Sequence, residues 1–368
     1  MDERKREIDN FHIIGCEELP EPETLKREMP VDGPALETVL RGHHDVKAVL
    51  DGRDDRLIVV VGPCSIHDPE QALDYARRLA PLAKELRDEL VILMRVYFEK
   101  PRTTVGWEGL IYDPNLDGSH HIEQGIRIGR RLMLDINALG LPIAVEALDL
   151  ITPQYLQDLV SWTAVGARTT ESPTHRKLAS GLSSAVGFKN NVDGGVTVAI
   201  NAIRAASAVN TFISVTEGGR VAAFRTSGNP HCHVILRGGS EPNYQAPHVA
   251  DCEQALRKAM ISPNIMIDCS HGNSRKQHER QLEVLDDVAG QIVEGNRSIV
   301  GVMLESHIHA GNQPIPDDLQ ELQYGVSITD ACIDWSTTEE VLRKFAEKTR
   351  PALPGRRSGP DEMVDGAV

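Results

Sequence analysis

Metal-binding and anion-binding side chains recur in this chain at the ends of short apolar runs. The segment GPCSIHDP, Gly62 to Pro69, follows the run Leu57 to Val61 and precedes a helix-like stretch, Glu70 to Leu86. Gly62 and Pro63 stop the strand and leave Cys64 at its mouth, beside Ser65, His67 and Asp68. The next runs end in Arg95 (with Lys100 and Arg102 after it), Glu146, Arg168, Lys189 and Arg237. The last two end in Asp268, followed by His271, and in Glu305, followed by His307. A single strand ending in a charge only needs solvent. Eight in succession, with cations and metal-ligand types sorted this way, point to one shared mouth.

Two constellations separate out. Cys64, His271 and Glu305 offer a thiol, an imidazole and a carboxylate, and Asp330 in the turn SITD is the candidate fourth donor. That mixed set suits a divalent Mn, Fe, Co or Zn ion rather than Mg or Ca. Arg95, Lys100, Arg102, Arg168, Lys189 and Arg237 form the second set. Like charges at close range repel, so an anion must hold them together. Guanidinium forks match carboxylate and phosphate oxygens, and so many cations imply more than one phosphate.

The elements that position these residues are eight apolar runs alternating with helical stretches. The runs are Leu57–Val61, Leu90–Val96, Pro142–Ala147, Ala164–Ala167, Ala185–Phe188, His233–Leu236, Ile265–Asp268 and Ile299–Leu304. Near-continuous apolarity marks strands buried on both faces, and β–α alternation marks parallel pairing. Eight of them predict an α/β chain closed as a (β/α)8 TIM barrel, with an N-terminal extension and an inserted β-hairpin; an open doubly wound sheet is the alternative. In such a barrel the active face lies at the carboxyl ends of the strands. The expected division is an arm and helix over 1–55, a catalytic barrel over 56–350 and a disordered tail over 351–368. Within the arm, Leu36 to Leu50 reads as an amphipathic helix. Phe11 to Ile14 reads as an isolated strand needing a partner, such as another subunit. Residues 97–120 form a long functional loop, and 211–225, around Glu217-Gly218-Gly219, carries a hairpin signal.

Composition narrows the function. Lys+Arg 39 against Asp+Glu 54 gives a net charge of −15, which argues against nucleic-acid binding. Aromatics at 4% leave no stacking platform for single strands. The six cysteines include no CxxC pair, excluding zinc fingers and thioredoxin-like sites. The charged N-terminus lacks a signal-peptide core, and no run is long enough to span a membrane. The expectation is a cytoplasmic protein with reduced thiols.

GPCSIHDP, MRVYFEKPRTTVGW, GARTTES, GFKN, ILRGG, IDCSHGNS and SITDACI occur in this order. Together they resemble the 3-deoxy-D-arabino-heptulosonate 7-phosphate synthases, type I, regulated by aromatic amino acids. The resemblance implies condensation of phosphoenolpyruvate with erythrose 4-phosphate, the entry to the shikimate pathway, in a homodimer or homotetramer. It implies a divalent metal, Mn2+ first, on Cys64, His271, Glu305 and Asp330. It implies a phosphoenolpyruvate site of Arg95, Lys100, Glu146, Arg168, Lys189 and Arg237 with the backbone of Gly166 and Ala167. The aldose phosphate falls to Lys100 to Thr104, through Arg102 and Thr103. Catalytic roles fall to Lys100, Cys64, His271 and Glu146, with Asp330 also facing substrate.

The same resemblance implies an inhibitor pocket outside the barrel. One wall is Asp149, Leu150, Pro153 and Gln154, another is Leu178 and Ser183, and the hairpin adds Phe212, Ser214 and Phe224. A neighbouring subunit's arm closes it with Asn10, Phe11 and Ile13. DNFHI, VEALD, SHGNS and YGVS look closer to tyrosine-sensitive isoenzymes. The related octulosonate phosphate synthases and a catalytically dead amino-acid sensor are the competing readings.

Overall fold

A computed structural model of the chain describes residues 8, 10–100 and 106–357. Its strands are β1 (Leu57–Gly62), β2 (Leu90–Arg95), β3 (Ile143–Glu146), β4 (Trp162–Val165) and β5 (Ala185–Lys189), then β6 (Asn210–Val215), β7 (Val221–Thr226), β8 (Cys232–Leu236), β9 (Ile265–Asp268) and β10 (Ile299–Glu305). Its α-helices are α1 (Pro22–Glu28), α2 (Gly33–Leu50), α3 (Pro69–Glu85), α4 (Ile122–Ala138) and α5 (Thr152–Leu156), then α6 (Pro173–Ala179), α7 (Thr197–Ser207), α8 (Ala246–Lys258), α9 (Gln281–Val293) and α10 (Trp335–Thr349). Eight strands close a barrel in the order β1-β10-β9-β8-β5-β4-β3-β2, and β6 and β7 form a separate two-stranded sheet.

The barrel closes because its strands are apolar on both faces. In β1, Leu57, Val59 and Val61 join the large core against the helices, while Ile58 and Val60 join a second cluster inside the barrel. Both sets are wholly buried, and full burial of each such side chain stabilises by roughly 1.5–3 kcal/mol. At Gly301 a Cβ would lie 2.1 Å from the Ile58 carbonyl oxygen, so only glycine lets β10 close on β1. Val46, Val49 and Leu50 of α2 pack into the inner cluster. Asn264, one residue before β9, donates its side-chain amide to the Leu50 carbonyl at 2.9 Å. The extension's helix thus plugs the amino-terminal end of the barrel, opposite the site.

Register sets the level of the strand ends. Gly62 is paired with Glu305, and Met303 with Asp268. Cys64, Asp268 and Glu305 therefore emerge side by side. Asp68 caps α3 by accepting from the Glu70 and Gln71 N–H groups at 2.8 and 3.2 Å, which anchors the far end of the loop carrying Cys64. Ser65 and Thr329 share a hydroxyl hydrogen bond of 2.7 Å, tying that loop to the one carrying Asp330.

Several expectations are corrected. The fourth strand spans Trp162–Val165 rather than Ala164–Ala167; the Thr169 and Thr170 N–H groups both bond the Gly166 carbonyl, pulling 166–170 into a turn. Residues 11–14 form no strand in the isolated chain but a turn and an irregular segment, with Phe11, Ile13 and Ile14 exposed. Residues 351–357, expected to be disordered, are seated on the barrel floor. Leu353 and Arg356 are buried there. Arg356 bonds the Asn296 and Ile299 carbonyls, and Arg357 reaches Asn264 Oδ1 at 2.6 Å. Two arginines satisfying carbonyls and an amide near the strand starts explain an order that hydrophobic periodicity does not signal. The rest of that tail lies outside the described residues, as do Arg102 and Thr103. Among the described residues no helix is long and apolar enough to cross a membrane.

Candidate active site

The carboxyl end of the barrel gathers the donors. One ligand atom each from Cys64, Glu305 and Asp330 lies within 4.8 Å of the other two. Cys64 Sγ is 3.4 Å from Asp330 Oδ2. The fourth expected donor, His271, stays outside this group, its Nε2 3.8 Å from Glu305 Oε1. Lys100 lies among them, its ammonium 2.9 Å from Cys64 Sγ and 3.4 Å from Asp330 Oδ2. Cys64 and Glu305 are buried and Asp330 is exposed, so the cluster has a closed floor and one open side.

Arg95 forms that floor. Its guanidinium donates to the Pro63 and Cys64 carbonyls at 3.0 and 3.2 Å and to Glu305 Oε1 at 3.0 Å. It also lies 3.6 Å from the centre of the Tyr97 ring. The second oxygen of Glu305 accepts from Ser270 Oγ at 2.7 Å. Lys189, buried, pairs with Asp268 Oδ2 at 3.3 Å, and the same oxygen is 2.9 Å from His271 Nδ1.

Charge follows from these contacts. Burial, reinforced by Glu305, pushes the Cys64 thiol up to about 11. Burial would also raise Asp330, but Lys100 and His271 pull it down to about 2. Glu305 is likewise lowered against burial by His271, Arg95 and Lys100. Burial would depress Lys100, yet Cys64, Asp330 and Glu305 hold its ammonium above the ordinary value. Sulfur and two carboxylates within 4.8 Å of one another, with the His271 imidazole at the edge of that group and a cation already drawn to it, fit a divalent transition ion by donor chemistry.

The remaining expected residues stand around this centre. A Cβ on Gly166 would come within 2.4 Å of Glu146 Oε1, so glycine is required for Glu146 to lie against the Gly166–Ala167 turn. Arg168 is exposed and Arg237 half-buried. The Arg237 N–H donates to Asn190 Oδ1 at 2.7 Å, which joins the β8 end to the β5 end beside Lys189.

Two supporting residues escape sequence reading. Asp268 appears there only as a strand end. Gln281, wholly buried at the start of α9, donates to the Glu305 carbonyl at 3.0 Å and accepts from the Glu305 N–H at 2.8 Å. The register pairs Asp268, the last residue of β9, with Met303. Gln281 thus acts as a substitute strand beside Glu305. A lone polar residue at a helix start carries no signal of that role.

The expected inhibitor residues lie outside the barrel. Phe212 and Phe224 stack across the hairpin with centroids 5.8 Å apart. Ser214, on the same face, is buried with no partner for its hydroxyl. Ser180, just past α6, bonds Thr226 of the hairpin at 2.7 Å. Leu178 is buried and Ser183 exposed. Leu150, Pro153 and Gln154 are half-buried, and Asp149 accepts from the Ile151 and Thr152 N–H groups at 2.6 and 2.8 Å. The arm reaches this region from residue 20 onward. Tyr155 Oη donates to the Pro20 carbonyl at 2.8 Å, and the Glu23 N–H donates to the Glu217 carbonyl at 2.8 Å. Asn10, Phe11 and Ile13 remain exposed.

Fold and site define a (β/α)8-barrel enzyme whose mouth sets a metal-type donor cluster beside buried cations. Residues 30–343 match the DAHP synthetase I family. The Tyr-sensitive phospho-2-dehydro-3-deoxyheptonate aldolase of Escherichia coli is 51% identical over 353 residues, covering 96% of this chain and 99% of that protein. The Phe-sensitive protein of the same organism is 54% identical over 342 residues, covering 93% and 97%. The solved structure of the Francisella tularensis aldolase matches with a TM-score of 0.89 and 47% identity over 92% of this chain and 98% of that one. The chain belongs to the DAHP synthetase I family.

Proposed function

We propose that this chain condenses phosphoenolpyruvate with erythrose 4-phosphate to 3-deoxy-D-arabino-heptulosonate 7-phosphate, releasing phosphate. The observation that carries this reading is the convergence of Cys64, Glu305 and Asp330 within 4.8 Å at a mouth floored by Arg95 and Lys189. Cys64, His271, Glu305 and Asp330 would hold a divalent ion, Mn2+ first, with Fe2+, Co2+ or Zn2+ as substitutes. When bound, such an ion supplies Lewis acidity toward the aldehyde oxygen.

The chain's own residues do the rest. Arg95, Arg168, Lys189 and Arg237, with the backbone of Gly166 and Ala167, bind the carboxylate and phosphate of phosphoenolpyruvate. Arg102 and Thr103 take the aldose phosphate. The enol C3 attacks the aldehyde carbon, forming the new C–C bond. Lys100 delivers a proton to the oxygen that becomes the hydroxyl, where a fixed cation stabilises developing negative charge. Glu146 positions the water that adds at C2, after which the C2–O bond breaks and phosphate leaves. The protein acts in the cytoplasm as a homodimer or homotetramer. Phosphate release with each aldose tests the reading: turnover with erythrose 4-phosphate and not arabinose 5-phosphate is expected. Preference for arabinose 5-phosphate would assign the octulosonate reaction, and turnover of neither would leave a sensor.

The hairpin pocket is the proposed feedback site for an aromatic amino acid, tyrosine first. Stacked Phe212 and Phe224 beside the unpartnered Ser214 hydroxyl support a ligand with a ring and a polar end. The segment walling this pocket touches the residue before Lys100: Glu99 accepts from Thr152 Oγ1 at 2.7 Å and from the Asp149 N–H at 3.2 Å. Burial pushes Glu99 up to about 7, so that contact is poised to change charge near neutrality. Deleting residues 1–15 is expected to keep kcat within about twofold while abolishing inhibition, because the arm of a second subunit closes the pocket; coupling of this kind is typically about 1–3 kcal/mol. Dose–response curves with tyrosine and phenylalanine check it, and unchanged inhibition would count against the arm.

A further inference from the structure

We infer that Asp268 is a positioning residue that joins the metal half of the mouth to the phosphoenolpyruvate half, so that the two ligands bind cooperatively through it. The inference rests on the proposed function.

Asp268 ends β9 and is 1% exposed. Its Oδ1 accepts from the Ser270 N–H at 3.1 Å, which fixes the plane of the carboxylate. Its Oδ2 faces two groups from opposite sides, His271 Nδ1 at 2.9 Å and Lys189 Nζ at 3.3 Å. A carboxylate only accepts, so ligation of a metal through His271 Nε2 requires the ring proton on Nδ1, the atom that faces Asp268 Oδ2 at 2.9 Å. That tautomer leaves the Nε2 lone pair directed to the side where Glu305 Oε1 lies 3.8 Å away. His271 is held in a left-handed backbone conformation, φ 54°, so its ring direction is set by the main chain as well as by this contact.

One anionic oxygen is therefore divided between an imidazole and an ammonium. When His271 ligates a cation through Nε2, its Nδ1–H becomes a stronger donor and draws on Asp268. When Lys189 turns to a substrate anion, it withdraws from Asp268 and leaves that oxygen to His271. Each event favours the other. Reciprocity then requires that phosphoenolpyruvate tighten the metal by the factor by which the metal tightens phosphoenolpyruvate. A second junction exists in the Arg95–Glu305 pair at 3.0 Å, so the test must separate the two.

The test is equilibrium dialysis of Mn2+ against the full chain, with and without saturating phosphoenolpyruvate. In the unaltered protein, phosphoenolpyruvate should tighten Mn2+ about 5-fold or more, the lower end of common couplings. Asp268→Asn keeps the shape and removes the charge. It should weaken Mn2+ about 10–100-fold, as loss of a carboxylate behind a metal-bound histidine does, and bring the coupling factor to about 1. Lys189→Met leaves the His271–Asp268 contact and provides a second reading should Asp268→Asn fail to fold by circular dichroism. It should tighten Mn2+ about 5-fold without phosphoenolpyruvate, because Asp268 is then left to His271, and show no further tightening at phosphoenolpyruvate concentrations verified by dialysis to saturate it. Coupling that persists in either folded variant, carried by Arg95, overturns the inference, as does its absence in the unaltered protein. Mn2+ binding untouched by Cys64→Ala would instead overturn the metal centre beneath it.

Discussion

Cys64→Ala is expected to lose divalent-metal binding and to lower phosphate release on the order of a thousandfold. Cys64 supplies the sulfur of the donor set, and Ala offers no donor in its place. Loss of a Lewis acid costs several kcal/mol of barrier, and each 1.36 kcal/mol is about tenfold in rate. Cation binding of phosphoenolpyruvate persists, because Arg95 keeps its contacts to the Pro63 and Cys64 carbonyls, which the substitution does not remove. The fold should persist as well, since removing one buried sulfur leaves a small void costing about 1–3 kcal/mol. Metal content after dialysis, circular dichroism and phosphate release read the three parts separately. Full activity with bound metal would refute the ligand role.

Lys100→Met is expected to lower kcat about 10²–10³-fold while leaving metal binding unchanged or tighter. The loss in rate follows from removing a proton donor and a preorganised cation from the developing alkoxide. The effect on metal follows from position: the ammonium lies 2.9 Å from Cys64 Sγ and 3.4 Å from Asp330 Oδ2. A divalent ion must compete with it for those same atoms. Replacing it by an apolar chain of similar length removes the competitor. Lys100→Arg should not restore rate, since a planar guanidinium cannot reproduce a compact ammonium at this point. Mn2+ titration beside steady-state kinetics separates this outcome from that of Cys64→Ala, where metal and rate fall together.

How far these residues were legible in the sequence depends on what each does. The barrel strands were plain because both faces are buried, so apolarity is continuous and needs no knowledge of partners. Cys64 and Glu305 were legible because metal-ligand types are conspicuous at strand ends, and their convergence follows from closure of the sheet; Asp330 stood in a polar turn that the Ser65–Thr329 bond ties to the Cys64 loop. Boundaries were less so: β4 ends at Val165 because the Gly166 carbonyl turns to Thr169 and Thr170, a local competition that hydrophobicity does not report. Gln281 acts through its contacts to Glu305, and nothing in its own surroundings in sequence marks it; Asp268 shows as a strand end, but its approach to Lys189 and His271 does not. The seating of Arg356 and Arg357 is hidden for the opposite reason. A Pro- and Gly-containing basic segment resembles a solvated tail until unpaired carbonyls near the strand starts are placed beside it. Phe11 to Ile14 shows no strand because an edge without a partner has nothing to pair with.

The most direct test of the account is an anomalous-difference map of crystals grown with Mn2+ and phosphoenolpyruvate. The account predicts one manganese peak within bonding distance of Cys64 Sγ, His271 Nε2, Glu305 and Asp330, with the Lys100 ammonium displaced and the phosphate of phosphoenolpyruvate on the neighbouring arginines. A manganese peak away from Cys64, or donors that stay apart when phosphoenolpyruvate is bound, would contradict it.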